Sequence, residues 1–260
     1  MSKIPEMRLL NNVLILLVFL IAWSPASQAS SLPDVIDKIK PSVVGIGSYM
    51  KTRRPPSLLT GTGFVVSDGT YVVTNEHVIS KKIKEDKGEL RTVFVRGKEK
   101  TDVRVAMVVA KDQEHDLALL KITGAPLPAL KLGDSNKVRD GQSIAFTGFP
   151  IGAVLGLHPA THRGIIAAIT PVVIPVDASS RLNPKLIKRI RSPYKVFQLD
   201  ATAYPGNSGS PVYDVRNGKV IGVINKVFVK ESKETVLSKP SGITYAIPSK
   251  HIKALLNKVN

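Results

Sequence analysis

Short apolar runs punctuated by turn residues dominate the chain after residue 40. SVVGIGSY, GTGFVVS, YVVTN, RTVFVRG, RVAMVVAKD and LALLKI follow one another between Ser42 and Ile122. A second series begins near Gly141 with QSIAFTGFP, THRGIIAAI, KVFQLDA, SPVYD, KVIGVINKVFV and GITYAIP. The runs are rich in Val and Ile and bounded mostly by Gly, Asp, Asn or Lys. Such runs predict strands, and many short strands at regular spacing predict an all-β sandwich or barrel. The join between the two series is expected at Leu132-Gly133-Asp134, giving halves over 30–133 and 134–247. No internal repeat aligns between them.

Helical spacing is confined to the two ends. Leu32, Val35, Ile36 and Ile39 predict a short helix over 32–40, and Pro41 is expected to stop it. A closing amphipathic helix is expected within 248–260, with Ser249 as its N-cap. Two stretches interrupt the strand rhythm. Residues 80–91 form a mixed-charge surface loop. Residues 176–195 carry Arg181, Lys185, Lys188, Arg189, Arg191 and Lys195, with no acid from 181 to 195. Insertions of that length are often functional, the alternative being a solvated loop.

The first 30 residues follow another rule. Lys3 and Arg8 precede an apolar run from Val13 to Trp23, and small residues follow. That order describes a secretory signal peptide over 1–29, cleaved after Ala29 in Ser27-Gln28-Ala29. The alternative is a retained membrane anchor, for which the run is short. Residues 30–260 then suffice for one all-β domain with a sizeable core. The sequence contains no cysteine. This excludes disulfide staples, a thiol nucleophile and thiolate-bound zinc, and an exported chain without disulfides fits a bacterial periplasm or envelope. The formal net charge of +17 favours acidic partners or anionic surfaces, with 181–195 as the candidate contact, or simply a solvated basic surface.

Three segments carry candidate chemistry: Thr74-Asn75-Glu76-His77-Val78, His115-Asp116-Leu117, and Gly206-Asn207-Ser208-Gly209-Ser210-Pro211. A serine hydroxyl is a weak nucleophile that needs an adjacent base and donors aimed at the oxyanion. Gly206 and Gly209 free the backbone for the turn that lets the Gly206 and Ser208 amides point into one hole. His77 is the candidate base, because imidazole can take the serine proton and return it to a leaving amine. Asp116 opens the apolar run LALLKI, where an unpaired carboxylate is costly, and pairing with the His77 ring relieves that cost. Asp112 is a rival in the more polar AKDQE segment. His115 neighbours Asp116 and is expected on the opposite, exposed face, outside the chemistry. Each motif alone is also compatible with a plain turn, a strand-end histidine or a surface carboxylate. Together they fill one of the known triad orders. His77 and Asp116 fall in the first half and Ser208 in the second, so the site is expected in the cleft between them.

These residues resemble the HtrA/Deg family of trypsin-like serine proteases. The likeness runs through GTGFVVSDGTYVVTNEHVI, KDQEHDLALLKI, GFPIG, THRGIIAAI, LDATAYPGNSGSP and SGITYAIPS, from about residue 32 to 255. It implies two six-stranded antiparallel β-barrels with short N- and C-terminal helices. It makes His77 the base, Asp116 its orienter and Ser208 the nucleophile, with the oxyanion hole at Gly206, Asn207 and Ser208. The AIPS segment ends at Ser249 and the sequence at Asn260, so the PDZ domains common in the family are not expected. Ser210-Pro211 also departs from the Gly-Ala usual in HtrA proteases. In trypsin-like proteases the residue six before the serine lines the primary pocket. Here it is Thr202, which supplies no anion, so small or aliphatic substrate residues are expected, with Val223, Ile224 and Asn225 along one wall and Lys226 nearby.

The reading is therefore an exported serine endopeptidase acting on polypeptides. Two alternatives remain: a latent or inactive protease-fold binding module, and a basic envelope protein acting through 181–195. Neither accounts for three filled triad positions. The histidines show no HExxH-type spacing, Pro159 separates His158 from His162, and GxxxxGK[ST] is absent. No metal or cofactor is implied, and no oligomeric state is specified.

Overall fold

The computed structural model describes residues 31–97, 100–150, 157–172, 193–225 and 243–259. The expected signal peptide, most of the basic stretch 181–195, Lys226 and the ends of two family segments lie outside the described residues.

Twelve strands form two closed six-stranded antiparallel barrels. In the first, β1 (Val43–Tyr49), β2 (Ser57–Val66), β3 (Tyr71–Asn75), β4 (Leu90–Arg96), β5 (Thr101–Asp112) and β6 (Leu117–Ile122) run in the order β1-β2-β3-β6-β5-β4. Pairing of β1 with β4 closes the ring. In the second, β7 (Ser143–Gly148), β8 (Ala160–Pro171), β9 (Lys195–Asp200), β10 (Pro211–Asp214), β11 (Val220–Asn225) and β12 (Ile243–Pro248) run β10-β11-β12-β9-β8-β7. Pairing of β7 with β10 closes that ring. Register shifts at Ile46/Gly47, Val108/Ala110, Ile166/Ala168 and Val212/Tyr213 supply the bends that closure demands. Gly47 is required at the first, because a Cβ there would lie 1.9 Å from the Leu58 carbonyl oxygen.

Three apolar clusters explain why many strands read as runs rather than alternations. Val44, Ile46, Val65, Val72, Val93 and Leu120 fill the first barrel. Ile144, Phe146, Ile166, Phe197, Leu199 and Ile224 fill the second. Phe64, Val73, Leu117, Leu119, Phe149, Tyr213 and Val223 belong to a third cluster, with residues from both barrels. Strands at this seam are buried on both faces, as β11 is along its whole length.

Helix α1 (Leu32–Ile39) contributes Val35 and Ile39 to the seam cluster. Its start is set by a capping box that the sequence reading did not identify. The Ser31 hydroxyl and amide donate to Asp34 Oδ2 at 2.7 and 3.0 Å, and Ser31 Oγ accepts from the Asp34 amide. The α-helix ends at Ile39 with Lys40 as its C-cap, just before Pro41 as expected, and a 3₁₀ turn, Lys40–Ser42, leads from it into β1.

The closing helix α3 (Lys250–Leu256) buries Ile252 and Leu255. Ser249 stands at the expected cap position but does not cap. Its backbone is already helical, and its Oγ donates to Gly133 O at 3.2 Å. The Lys250 amide is satisfied instead by Ser135 Oγ at 3.0 Å. The segment joining the barrels thus does the work expected of a local cap.

His115 corrects a second expectation. Its side chain is only 16% exposed. Nδ1 lies 2.7 Å from Asp112 Oδ2, the ring stacks on His251 of α3 at 3.6 Å, and Tyr194 packs edge-on at 4.6 Å. The face opposite Asp116 is covered by α3, not by solvent. Burial pushes the Asp112 carboxyl up, but hydrogen bonds and charge from His115 win and hold it at about 2. Burial, then His115 and Lys250, push His251 from its usual 6.5 to about 4 against the pull of Asp112.

The folded state therefore prefers neutral His251, while the unfolded chain takes up the proton first. Stability falls as pH drops from 6.5 toward about 4, and Asp112 adds a loss between 3.8 and about 2. His251→Phe keeps a ring against His115 and removes one titration. Urea-unfolding midpoints near neutral pH and near pH 4 should lie closer together in the variant than in the wild type. Equal pH dependence in both would remove His251 from this account.

Candidate active site

Strand β3 ends at Asn75 and the chain turns directly into a single helical turn, α2 (Glu76–Ile79). His77 sits in that turn, and Asp116 sits immediately before β6. Because β3 and β6 pair as neighbours through Asn75↔Leu117, the two segments meet at one end of the first barrel. Asp116 Oδ2 lies 2.6 Å from His77 Nδ1, and Oδ1 accepts the His77 amide at 2.8 Å. The Asp116 carbonyl accepts the Asn75 side-chain amide and the Glu76 N–H, each at 3.1 Å. Asp116 reaches all four contacts with φ at +50°, a left-handed conformation that Asp tolerates better than most residues. A carboxylate accepts only, so the pair puts the imidazole proton on Nδ1 and leaves Nε2 as the basic nitrogen. The His77 side chain is 34% exposed and that of Asp116 17%. Asp112, the rival carboxylate, is engaged by His115 instead.

Ser208 lies in the loop between β9 and β10 and is 7% exposed. Two turns shape the loop, closed by Asn207 N–H to Tyr204 O and Ser210 N–H to Asn207 O, both 3.0 Å. Strand β11 braces it through Gly209 N–H to Ile224 O at 3.0 Å and Ile224 N–H to Ser210 O at 2.9 Å. Gly206 (φ +100°) and Gly209 (φ +87°) occupy conformations closed to most residues. At Gly209 a Cβ would also lie 2.0 Å from Thr62 O.

Thr62 of β2 is the residue the sequence reading missed. Its N–H donates to Ser208 O at 2.9 Å. Its hydroxyl donates to Gly206 O at 2.7 Å and accepts the Phe149 N–H at 3.0 Å. Its carbonyl accepts the Thr74 hydroxyl at 2.7 Å. One residue of the first barrel thus grips the serine loop of the second. The only trace in the sequence is the Gly61-Thr62-Gly63 triplet in an apolar run. Gly61 completes the contact, since a Cβ there would meet Val78 at 2.8 Å and Ser208 O at 3.1 Å. His77, beside Val78, and Ser208 therefore flank the same stretch of β2. No hydrogen bond joins them in this structure, and such bonds are often long before substrate is present.

Among the described residues the amides of Gly206 and Ser208 donate no hydrogen bond, whereas those of Asn207, Gly209 and Ser210 all do. Asn207 was grouped with the oxyanion hole. Its N–H is committed to Tyr204 O, and its side chain is buried beneath the loop. The available donors are thus two rather than three. Thr202 is partly exposed, next to a segment pinned by Thr244, whose hydroxyl accepts Ala203 N–H at 3.1 Å and donates to Ala201 O at 2.6 Å. The pocket wall expected from Val223 and Ile224 needs correction. Both side chains are fully buried, one in the seam cluster and one inside the second barrel, so neither is available to a ligand. Asn225 is also buried. His162 stacks on Phe146 at 4.8 Å and lies 5.9 Å from the Tyr204 ring.

Comparison with known proteins identifies the family. Residues 61–223 match a trypsin-like peptidase domain. Mitochondrial serine protease HTRA2 of Bos taurus is 31% identical over 239 residues, covering 90% of this chain and 44% of the relative. A probable periplasmic serine endoprotease, DegP-like, of Chlamydia trachomatis is 32% identical over 217 residues, covering 83% and 37%. The chain spans less than half the length of these curated relatives. Among solved structures, the HtrA-type protease AlgW with a tripeptide matches with TM-score 0.62 and 26% identity, over 88% of this chain and 64% of that one. Deg5 matches with TM-score 0.60 and 26% identity, over 85% and 90%. The chain belongs to the trypsin-like peptidase domain family and is similar to its HtrA/DegP members.

Proposed function

We propose that this protein is an exported serine endopeptidase of the bacterial envelope, cleaving polypeptides through His77, Asp116 and Ser208. The observation that carries the reading is the two-point grip of Asp116 on His77, through ring and backbone, with Val78, next to His77, and the Ser208 carbonyl both against Gly61. The periplasmic, DegP-like description of several relatives supports the location.

The chemistry follows from the donors and acceptors present. Ser208 Oγ attacks the scissile carbonyl carbon while His77 Nε2 takes the hydroxyl proton. The carbonyl oxygen gains a negative charge, which the Gly206 and Ser208 N–H groups receive. Asp116 holds the Nδ1 tautomer and stabilises the imidazolium. His77 then gives its proton to the leaving amine, and the C–N bond breaks to leave an ester on Ser208. Water, deprotonated by His77, hydrolyses that ester and restores the serine. Thr202 places no charge at the primary pocket, which suits small or aliphatic residues on the acyl side.

Purified residues 30–260 should hydrolyse unfolded casein and react with a fluorophosphonate probe. Ser208→Ala should abolish labelling and lower turnover by roughly 10⁴-fold or more. Casein loss that survives this substitution would overturn the proposal. Labelling and casein loss absent from the wild type would instead indicate a latent or binding protein on this scaffold.

Thr62→Val tests how the serine loop is held. The substitution removes the bond to Gly206 O and strips the buried Phe149 N–H of its acceptor. It should destabilise the fold by about 1–3 kcal/mol and lower kcat roughly tenfold or more, with a smaller change in KM. Unchanged kcat in a correspondingly destabilised variant would mean that the loop keeps its shape without this hydroxyl.

A further inference from the structure

A small pocket on the first barrel adjoins the turn that carries His77 and has no part in the chemistry above. Leu58 and Thr60 of β2, Val78 of α2, Lys81 and Lys82 after it, and Arg91 of β4 all contribute to its lining. Thr60 is two residues from Thr62, which holds the Ser208 carbonyl, and Val78 follows His77. The pocket therefore begins where the triad ends.

Its positive charge is only partly compensated. Lys81 and Lys82 are exposed and Arg91 is partly buried. Among the described residues none of the three makes an ion pair. The carboxylate at the pocket, Glu89, is already spent. It is bonded by the Ser48 hydroxyl, by the Lys84 amide at 2.9 Å and by Arg53 at 2.7 Å. The Ser48 and Lys84 bonds, with help from Arg53 and against burial, hold its carboxyl at about 2. Burial works against the Arg91 charge, and Glu89 and Glu85 offset it only in part. A partly desolvated guanidinium beside two lysines gains most from an incoming carboxylate, with which it can bond bidentately.

The direction of the substrate follows from the chemistry. The residue on the acyl side faces Thr202 on the second barrel. The leaving amine takes its proton from His77 on the first. The segment beyond the scissile bond thus runs onto the barrel that carries the pocket. We infer that the pocket formed by Lys81, Lys82 and Arg91 is a specificity subsite for a carboxylate on the leaving-group side of the cleaved bond. This rests on the endopeptidase reading. The carboxylate comes either from an Asp or Glu side chain or from the C-terminus of a short substrate.

The test uses internally quenched peptides with one constant aliphatic residue before the bond. Asp or Asn is placed at each of the three positions before and after it, and each peptide is made amidated and as the free acid. Asp at the second or third position after the bond should raise kcat/KM about fivefold over Asn, the upper range for a solvent-exposed ion pair. The ratio should shrink as salt is raised. The triple variant Lys81→Gln, Lys82→Gln, Arg91→Gln should bring it close to one. A gain seen only between free-acid and amidated peptides would support the subsite with the chain terminus as its occupant. Ser208-dependent cleavage with equal Asp and Asn rates on the leaving side would overturn the inference and leave the endopeptidase reading intact. So would a preference that survives the triple variant, or one confined to the acyl side. If no peptide is cleaved, the endopeptidase reading fails. Anisotropy of fluorescein-labelled Asp and Asn peptides on Ser208→Ala protein then decides the subsite separately: tighter Asp binding that the triple variant loses supports it, and equal binding overturns it.

Discussion

The cleft depends on one residue reaching across the seam. Thr62 uses its amide, hydroxyl and carbonyl at once, and two of these groups hold the Ser208 loop. The loop needs such an anchor because Gly206 and Gly209 make it intrinsically free, and a free loop points its amides everywhere. With the Gly206 and Ser208 carbonyls turned toward Thr62, the peptide planes are fixed from the outside. The amides of Gly206 and Ser208 are left without internal acceptors. The two unspent amides are thus a consequence of where carbonyls are bonded, more than of where donors are placed.

The same seam explains how two barrels hold one geometry without disulfides. Val73 and Leu117 belong to the shared cluster, and the chain turns from them into the His77 and Asp116 segments. Phe149 and Val223 belong to it from the other side, close to the Thr62 hydroxyl and the brace on Gly209. Apolar burial between close-packed barrels is non-directional, but hydrogen bonds at its rim are not. Packing brings the barrels together, and the bonds of Thr62 and Ile224 set the register. Helices α1 and α3 add Val35, Ile39, Ile252 and Leu255 to the same cluster, so both ends of the described residues help hold the seam closed.

Strand positions were legible because local rules govern them. Every apolar run predicted as a strand contains one. Closure into two barrels was not readable from periodicity, which left sandwich and barrel open; it entered through resemblance. His77, Asp116 and Ser208 stood out because each has a flanking pattern that fits its proposed role. Thr62 did not, since a threonine in a strand looks like any β-former until its partners, distant in sequence, are known. Val223 and Ile224 misled for a related reason. A strand beside a pocket can give its side chains to the core on both faces, and its sequence reads the same either way.

Two His–Asp pairs of similar geometry occur among the described residues. Asp116 holds His77 at 2.6 Å, and four residues earlier Asp112 holds His115 at 2.7 Å. Both carboxylates also accept the backbone amide of their histidine. Judged on the pair alone, either is a candidate base. The difference lies at the rest of the ring. His115 is stacked on His251 of α3 with Tyr194 edge-on to it, where imidazole serves as a packing surface. His77 keeps a third of its side chain exposed and precedes Val78, which shares the Gly61 contact with a serine whose loop leaves two amides unspent. A carboxylate orients an imidazole wherever the two meet, so the pair itself marks a well-satisfied histidine. A base is distinguished by what its other nitrogen can reach, and that is decided by the seam between the barrels.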